Sequence, residues 1–240
     1  MPENPRLVWQ ASLFEESGAP RVDHDFRGLV RHQLDASAWV DHVPGWLAHA
    51  DEMFAWLLDR APWEETEQEL YGRTIATPRL IARWPHRPGE IALPPVLEDI
   101  RGALVERYRR PFDSVSANLY RDGRDSVAWH GDRIARTVVD PLVAILSLGH
   151  PRRFLLRPRG GATRLTLDPQ HGDLVVMGGT SQRRWQHTIP KVASAGPRIS
   201  VTLRHGAESG APGGQEEAVR VGGTQLASVQ LPRGRCSQTR

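Results

Sequence analysis

The sequence predicts a mainly β domain of the α+β class, with supporting helices in its N-terminal part. Two patterns carry this expectation. From residue 113 onward, short runs of period two follow one another: SVSANLYR, DPLVAILSLG, RRFLLRP, TRLTLDP, GDLVVMGG and RISVTLR. Turns rich in Gly, Pro and Asp separate them, and many short strands at regular spacing indicate a sandwich or barrel. Upstream, Trp46, Leu47, Ala50, Met53, Phe54, Leu57 and Leu58 recur at helical spacing, which predicts an amphipathic helix over 45–60. Val96, Leu97, Ile100, Leu104 and Tyr108 do the same after Pro94-Pro95, where proline suits a helix start. These stripes read as core, and the helices are expected on the outside of the strands.

Length and composition bound the rest. The chain has 240 residues, 39% hydrophobic and 25% charged. That is globular composition, and it excludes full-length disorder, collagen and a disulfide scaffold. The single cysteine, Cys236, excludes internal disulfides and cysteine-based metal sites. No apolar run approaches a membrane span, and the first twenty residues lack the basic-then-apolar order of a signal peptide. A cytoplasmic, monomeric protein without membrane contact is therefore expected. The net charge is +3, and Lys191 is the only lysine. An arginine fork suits phosphate or carboxylate, but an excess this small names no partner.

Chemistry is suggested by Trp129-His130-Gly131-Asp132. In an extended segment His130 and Asp132 point to the same side. His187, in WQHTIPK, supplies a third ligand candidate. Two imidazoles and one carboxylate make a facial triad that leaves positions open, suited to Fe(II), Mn(II) or Zn(II). On RISVTLR, Arg198, Ser200, Thr202 and Arg204 share one face, and Ile199, Val201 and Leu203 share the other. Inside a barrel such arginines need an anion, since an unpaired buried charge costs several kcal/mol. A dicarboxylic acid would satisfy both; an edge strand facing solvent is the alternative. Asn118 and Tyr120 share a strand face shortly before His130 and have hydrogen bonds to offer the same anion.

Taken in order, N-x-Y, H-x-D, H and R-x-S-x-T-x-R resemble the AlkB family of Fe(II)/2-oxoglutarate-dependent dioxygenases. NLYRDGRDSVAWHGD, GDLVVMGG, WQHTIPK and RISVTLR carry the likeness, over residues from about 78 to 204. The resemblance implies a double-stranded β-helix, or jelly-roll. It implies a catalytic core over 113–205, after an N-terminal extension of helices and substrate-lid segments over 1–112. A disordered tail over 206–240 is expected from its Gly, Ser, Gln and Pro content.

Carried over by motif, His130, Asp132 and His187 would hold Fe(II), with 2-oxoglutarate and O2 as cosubstrates. Arg198, helped by Tyr120, would take the distal carboxylate, and Asn118 and Arg204 would lie near the other end. The implied reaction is oxidative demethylation of N-alkylated bases in DNA or RNA, of alkylation-repair type. The alternative is an oxygenase acting on a protein side chain or small molecule; a non-enzymatic nucleic-acid binder is a third. Nucleic acid is the expected partner. Trp84 and His130 are candidates for stacking on the base, and Arg79, Arg83, Arg133, Arg152 and Arg153 for touching phosphates. Two departures bear on the substrate. Ile134 stands where many relatives have an acid that reads the base, and WPHRPGE replaces a Tyr-containing loop. Ser200 stands where several relatives have Asn.

Overall fold

A computed structural model describes residues 18–70, 73–84, 94–132, 134 and 137–206. Cys236, the expected tail beyond residue 206, Arg133 and the WPHRPGE segment after Trp84 lie outside these residues. The elements are β1 (Arg21–Val22), β2 (Val30–Gln33), β3 (Ala38–Val43), β4 (Leu47–Ala48), α1 (Ala50–Arg60), β5 (Glu64–Leu70), β6 (Arg73–Trp84) and α2 (Pro95–Tyr108). They continue with β7 (Ser114–Tyr120), β8 (Val127–His130), β9 (Val143–Gly149), β10 (Phe154–Pro158), β11 (Leu165–Leu167) and β12 (Leu174–Gly179). A one-turn α3 (Ser181–Arg184), β13 (Trp185–Ile189) and β14 (Arg198–Arg204) complete them.

Two antiparallel sheets face each other. The larger runs β2-β3-β12-β9-β14-β7-β6-β5 and the smaller runs β11-β10-β13-β8; β1 and β4 form a separate ribbon. This is the expected double-stranded β-helix. Its strands alternate because each sheet has two different environments. On the outer face of the large sheet, Ile199, Val201 and Leu203 of β14 join Ala117 and Leu119 of β7 and Leu146 and Leu148 of β9. Met53, Phe54 and Leu57 of α1 and Leu97, Ile100 and Leu104 of α2 cover them in one apolar cluster. A second cluster fills the space between the sheets, with Val143, Ile145, Phe154, Leu156, Trp185 and Ile189 among its members.

The helices form where the apolar stripes predict them, although α1 starts only at Ala50, because Leu47–Ala48 pairs with β1. Pro95 opens α2, where a missing N–H costs nothing. The N-terminal half differs from the expected mix of helices and loops. β2, β3, β5 and β6 are four of the eight strands of the large sheet, so residue 112 does not divide it. β5, EETEQEL, is an edge strand, and an edge tolerates charge without an apolar alternation to announce it.

Two local features aim the chain at the space between the sheets. In β13, His187 sits opposite His130 and Ile189 opposite Val127, so three steps on β8 answer two on β13. This bulge lets both Val127 and His130 face inward, which strict alternation forbids. Gly179 ends β12 with φ +60°, and a Cβ there would collide with the Ser37 carbonyl. The tight exit delivers α3 and then His187.

Asp35 fastens the β2–β3 turn to the small sheet. Its carboxylate accepts hydrogen bonds from Trp185 Nε1 (2.7 Å) and from the N–H groups of Ser37 (2.8 Å) and Ala38 (2.9 Å). The Trp185 bond, then the Ser37 N–H, bring its pKa down to about 2. A depressed carboxylate stabilises the fold above its unfolded pKa and loses that contribution as pH falls towards the folded value. Urea midpoints measured between about pH 4 and about pH 2 should therefore fall less steeply in Asp35→Asn than in the unaltered protein. Leu146→Ala, in the outer core, should lower unfolding free energy by about 2–5 kcal/mol in the same assay.

Candidate metal and anion site

The site lies between the sheets, where the ends of β8 and β14 meet the middle of β13. His130 closes β8, Asp132 follows two residues later, and His187 is the central residue of β13. One ligand atom from each lies within 4.8 Å of the others. The His130 and His187 rings are 4.2 Å apart between centroids, and Phe154 flanks His187 at 5.2 Å. The His130 Nδ1–H donates to the Ala128 carbonyl at 2.8 Å, so Nε2 is the ring nitrogen left for a ligand role. Burial, and then the neighbouring His130, pull the His187 pKa down to about 3, outweighing the Asp132 carboxylate. His187 is thus neutral at ordinary pH, the form a metal requires.

Asp132 is held from three directions. Arg204 donates to its Oδ1 from Nε at 2.9 Å and from Nη2 at 2.8 Å. Its backbone N–H donates to Gln182 Oε1 at 2.9 Å, and its Oδ2 sits 3.6 Å from His187 Nε2. Burial opposes its charge, but Arg204, His187 and His130 prevail and hold the carboxyl well below the usual carboxylate range. Oδ2 itself is buried with no hydrogen-bond partner. An ionised oxygen without a donor, beside two imidazoles, fits a divalent cation of the Fe(II) kind.

Arg198 begins β14 deeper in the same space, with 1% of its surface exposed. One nitrogen, Nη2, donates to Ser147 Oγ at 3.0 Å; Nε and Nη1 are buried without acceptors. Burial brings its pKa down to about 10, although the nearby Tyr120 pulls the other way. A buried guanidinium short of acceptors is an anion site. Tyr120, 2% exposed, stacks its ring 5.3 Å from that guanidinium. β14 is a central strand between β7 and β9, so the edge-strand alternative does not hold.

Other sequence candidates are placed as follows. Asn118 lies on the inward face of β7, and its Oδ1 accepts from Arg79 Nε at 3.1 Å. Ile134 is buried in the cluster between the sheets. Trp84 requires a correction. It pairs with Val115 and belongs to the outer cluster under the helices, on the face of β6 turned away from the triad. Strand parity puts Arg79, Ile81 and Arg83, not Trp84, on the inner face.

Arg152 is also corrected. It is buried and donates to the carbonyls of Asp122, Asp125 and Pro190, so it is not available to a phosphate. Arg153 is exposed, 3.8 Å from Asp168, and Arg83 lies 4.0 Å from Glu64. Sequence reading missed Gln182, Ser147 and the Arg79–Asn118 bond. Only the alternation of PRLIAR, which puts Arg79 and Arg83 on one face, signalled any of them.

Comparison with known proteins agrees with this geometry. Residues 49–204 match the model of the 2OG-Fe(II) oxygenase superfamily. The chain is 31% identical over 219 residues to the alpha-ketoglutarate-dependent dioxygenase alkB homolog 3 of Bos taurus, covering 83% of this chain and 72% of that protein. The Homo sapiens protein of the same name is 31% identical over 221 residues, with the same coverage. The DNA oxidative demethylase ALKBH2 of Arabidopsis thaliana is 28% identical over 189 residues, 63% of this chain and 60% of that one. Among solved structures, OsALKBH1 superposes with a TM-score of 0.51 at 16% identity, over 72% of this chain and 100% of that one.

The unsatisfied guanidinium can be tested by itself. Arg198→Met should leave the ligand-free melting temperature unchanged or raise it, since an unpaired buried charge is removed. The melting shift that 2-oxoglutarate gives in the presence of Mn(II) should vanish in that variant. Thermal denaturation with and without the dicarboxylate checks both.

Proposed function

This chain belongs to the AlkB family of Fe(II)/2-oxoglutarate-dependent dioxygenases, and we propose that it oxidatively removes N-alkyl groups from bases in DNA or RNA. The observation that carries the reading is the pairing of a compact His–Asp–His set with a buried guanidinium two of whose nitrogens lack acceptors, one for the metal and one for the cosubstrate. The nucleic-acid substrate is supported by the relatives, among them proteins named as DNA oxidative demethylases.

Iron held by His130, Asp132 and His187 would, with O2 and 2-oxoglutarate, supply the oxidising power, the products being succinate, CO2, an aldehyde and the bare base. The chain's own residues prepare for this. His130 and His187 offer ring nitrogens, and the Ala128 carbonyl accepts from His130 Nδ1–H, which turns Nε2 to ligand duty. Arg204 and Gln182 orient Asp132 so that Oδ2 faces the imidazoles. Arg198 would grip the distal carboxylate with Ser147 and Tyr120 around it, a charge-assisted contact that selects a dicarboxylate over a simple acid. Asn118, fixed by Arg79, would lie at the other end. A base in a duplex must first leave its stack, at a cost of a few kcal/mol.

Anaerobically iron-loaded protein given O2, 2-oxoglutarate and an oligonucleotide carrying 1-methyladenine or 3-methylcytosine should release succinate and formaldehyde in step, with loss of the methyl group by mass spectrometry. Succinate released only in response to a protein or small molecule would overturn the nucleic-acid reading. Asp132→Ala should reduce turnover to background and abolish Mn(II) binding by calorimetry.

A further inference from the structure

Arg152 is a buried charge to which the chemistry above gives no task. It has 3% of its surface exposed. It lies in the β9–β10 connection, just beyond Gly149, which pairs with Arg198.

Three hydrogen bonds hold it. Nη1 donates to the Asp122 carbonyl at 3.0 Å, and Nη2 to the carbonyls of Asp125 at 2.9 Å and Pro190 at 2.7 Å. The guanidinium thereby spans from the β7–β8 turn, which follows Tyr120, to the residue after β13, the strand of His187. Its Nε is buried without an acceptor.

The charge is not neutralised locally. Both acids of the β7–β8 turn are already taken. Asp125 accepts from Arg121 Nε at 2.8 Å and Nη2 at 3.1 Å, and Asp122 accepts from Arg124 Nε at 3.1 Å and Nη2 at 2.7 Å. Among the described residues Arg152 itself meets carbonyl oxygens and no carboxylate. A buried cation satisfied by neutral dipoles alone still lacks a counter-charge.

Tyr120 joins this cation to the anion site. The Arg152 guanidinium lies 5.9 Å from the centre of the Tyr120 ring, and the Arg198 guanidinium lies 5.3 Å from it. The two cations act on each other. Burial lowers the Arg198 pKa most, Tyr120 opposes it, and Arg152 lowers it further. Like charges gathered around one buried ring repel, and an arriving carboxylate relieves both.

A mechanical clip does not account for the residue. The β7–β8 turn is pinned to the chain after β13 by a separate contact. The Val192 N–H donates to the Gly123 carbonyl at 2.8 Å, and a Cβ on Gly123 would collide with the Val192 carbonyl. The Arg121 N–H closes the turn on Asp125 Oδ2 at 2.8 Å. What Arg152 alone adds there is charge.

We propose that Arg152 is a positioning residue for the cosubstrate. With Tyr120 and Arg198, it sets how tightly the distal carboxylate is held and how sharply a 2-oxo dicarboxylate is preferred to a 2-oxo monoacid. The inference rests on the cosubstrate reading of Arg198 and deepens it. Buried charges are screened little, so the effect reaches across the Tyr120 ring without direct contact. The three carbonyls hold the guanidinium in place before the anion arrives, which spares the ordering that binding otherwise costs.

Calorimetric titration of the Mn(II)-loaded protein without O2 tests this with two ligands. One is 2-oxoglutarate. The other is 2-oxopentanoate, the same 2-oxo acid chain with a methyl group in place of the distal carboxylate. Arg152→Met and Arg152→Gln should each weaken 2-oxoglutarate binding by about ten-fold or more and leave 2-oxopentanoate within about two-fold. Arg152→Lys keeps the charge and gives up the fork, so it should bind 2-oxoglutarate within about three-fold of the unaltered protein.

Equal losses for the two acids would overturn the inference, because Arg152 would then be a clip for the turn and nothing more. So would an unchanged 2-oxoglutarate affinity in the neutral variants, or a Lys variant as weak as the Met variant. Melting temperatures show whether each variant folds. If the neutral ones do not, the Lys variant decides: affinity within the stated range supports the inference, and a larger loss overturns it. Failure of the unaltered protein to bind 2-oxoglutarate is a different result, in which the cosubstrate reading falls and takes the inference with it.

Discussion

The Arg204–Asp132 ion pair joins the two halves of this molecule where they must meet. Arg204 ends the central strand of the large sheet, and Asp132 follows the edge strand of the small one. The pair fixes the separation of the sheets at the site and the angle of the carboxylate at once. It also consumes one oxygen and leaves the other for the metal. Removing one partner of such a buried pair typically costs about 3–5 kcal/mol, because the remaining charge is stranded. The second guanidinium contact, from Nη1 to Ser116 Oγ at 2.8 Å, locks the arginine against β7.

With that pair in place, β14 distributes polarity along its length. At one end Arg204 compensates an acid; at the other Arg198 has none to compensate. The same strand face therefore serves two anions, one built in and one brought from solution. Ser200 and Thr202 between them are small and buried. Behind them Ile199, Val201 and Leu203 anchor the strand in the outer core, so the polar face cannot rotate away.

Much of this was legible in the chain because period two is a strong constraint on a central strand. The inward and outward faces of β14, the pairing of Asn118 with Tyr120 on β7, and the two predicted helices all follow from spacing. The metal set was legible because its members are rare residue types in a particular order. What escaped depends on partners far along the chain. Arg204 meets Asp132 across 72 positions, and no local pattern announces it. Trp84 was misplaced for a related reason: which face of β6 looks inward is decided by its register with β7, not by its own residues. Strands β2 and β5 were missed because edge strands with polar faces lack the alternation that betrays buried ones.

The bulge between β8 and β13 makes the site a matter of chain length as much as of chemistry. Val127 and His130 both face inward only because one extra residue is accommodated between them. Deleting Ala128 or Trp129 would restore regular pairing, and with it an unbroken ladder between the two strands. The valine and the histidine would then stand two residues apart, opposite Ile189 and His187, and would share the inner face by strand parity alone. The opposite change, regular pairing at the present length, is the one that would send either the histidine or the valine out of the space between the sheets.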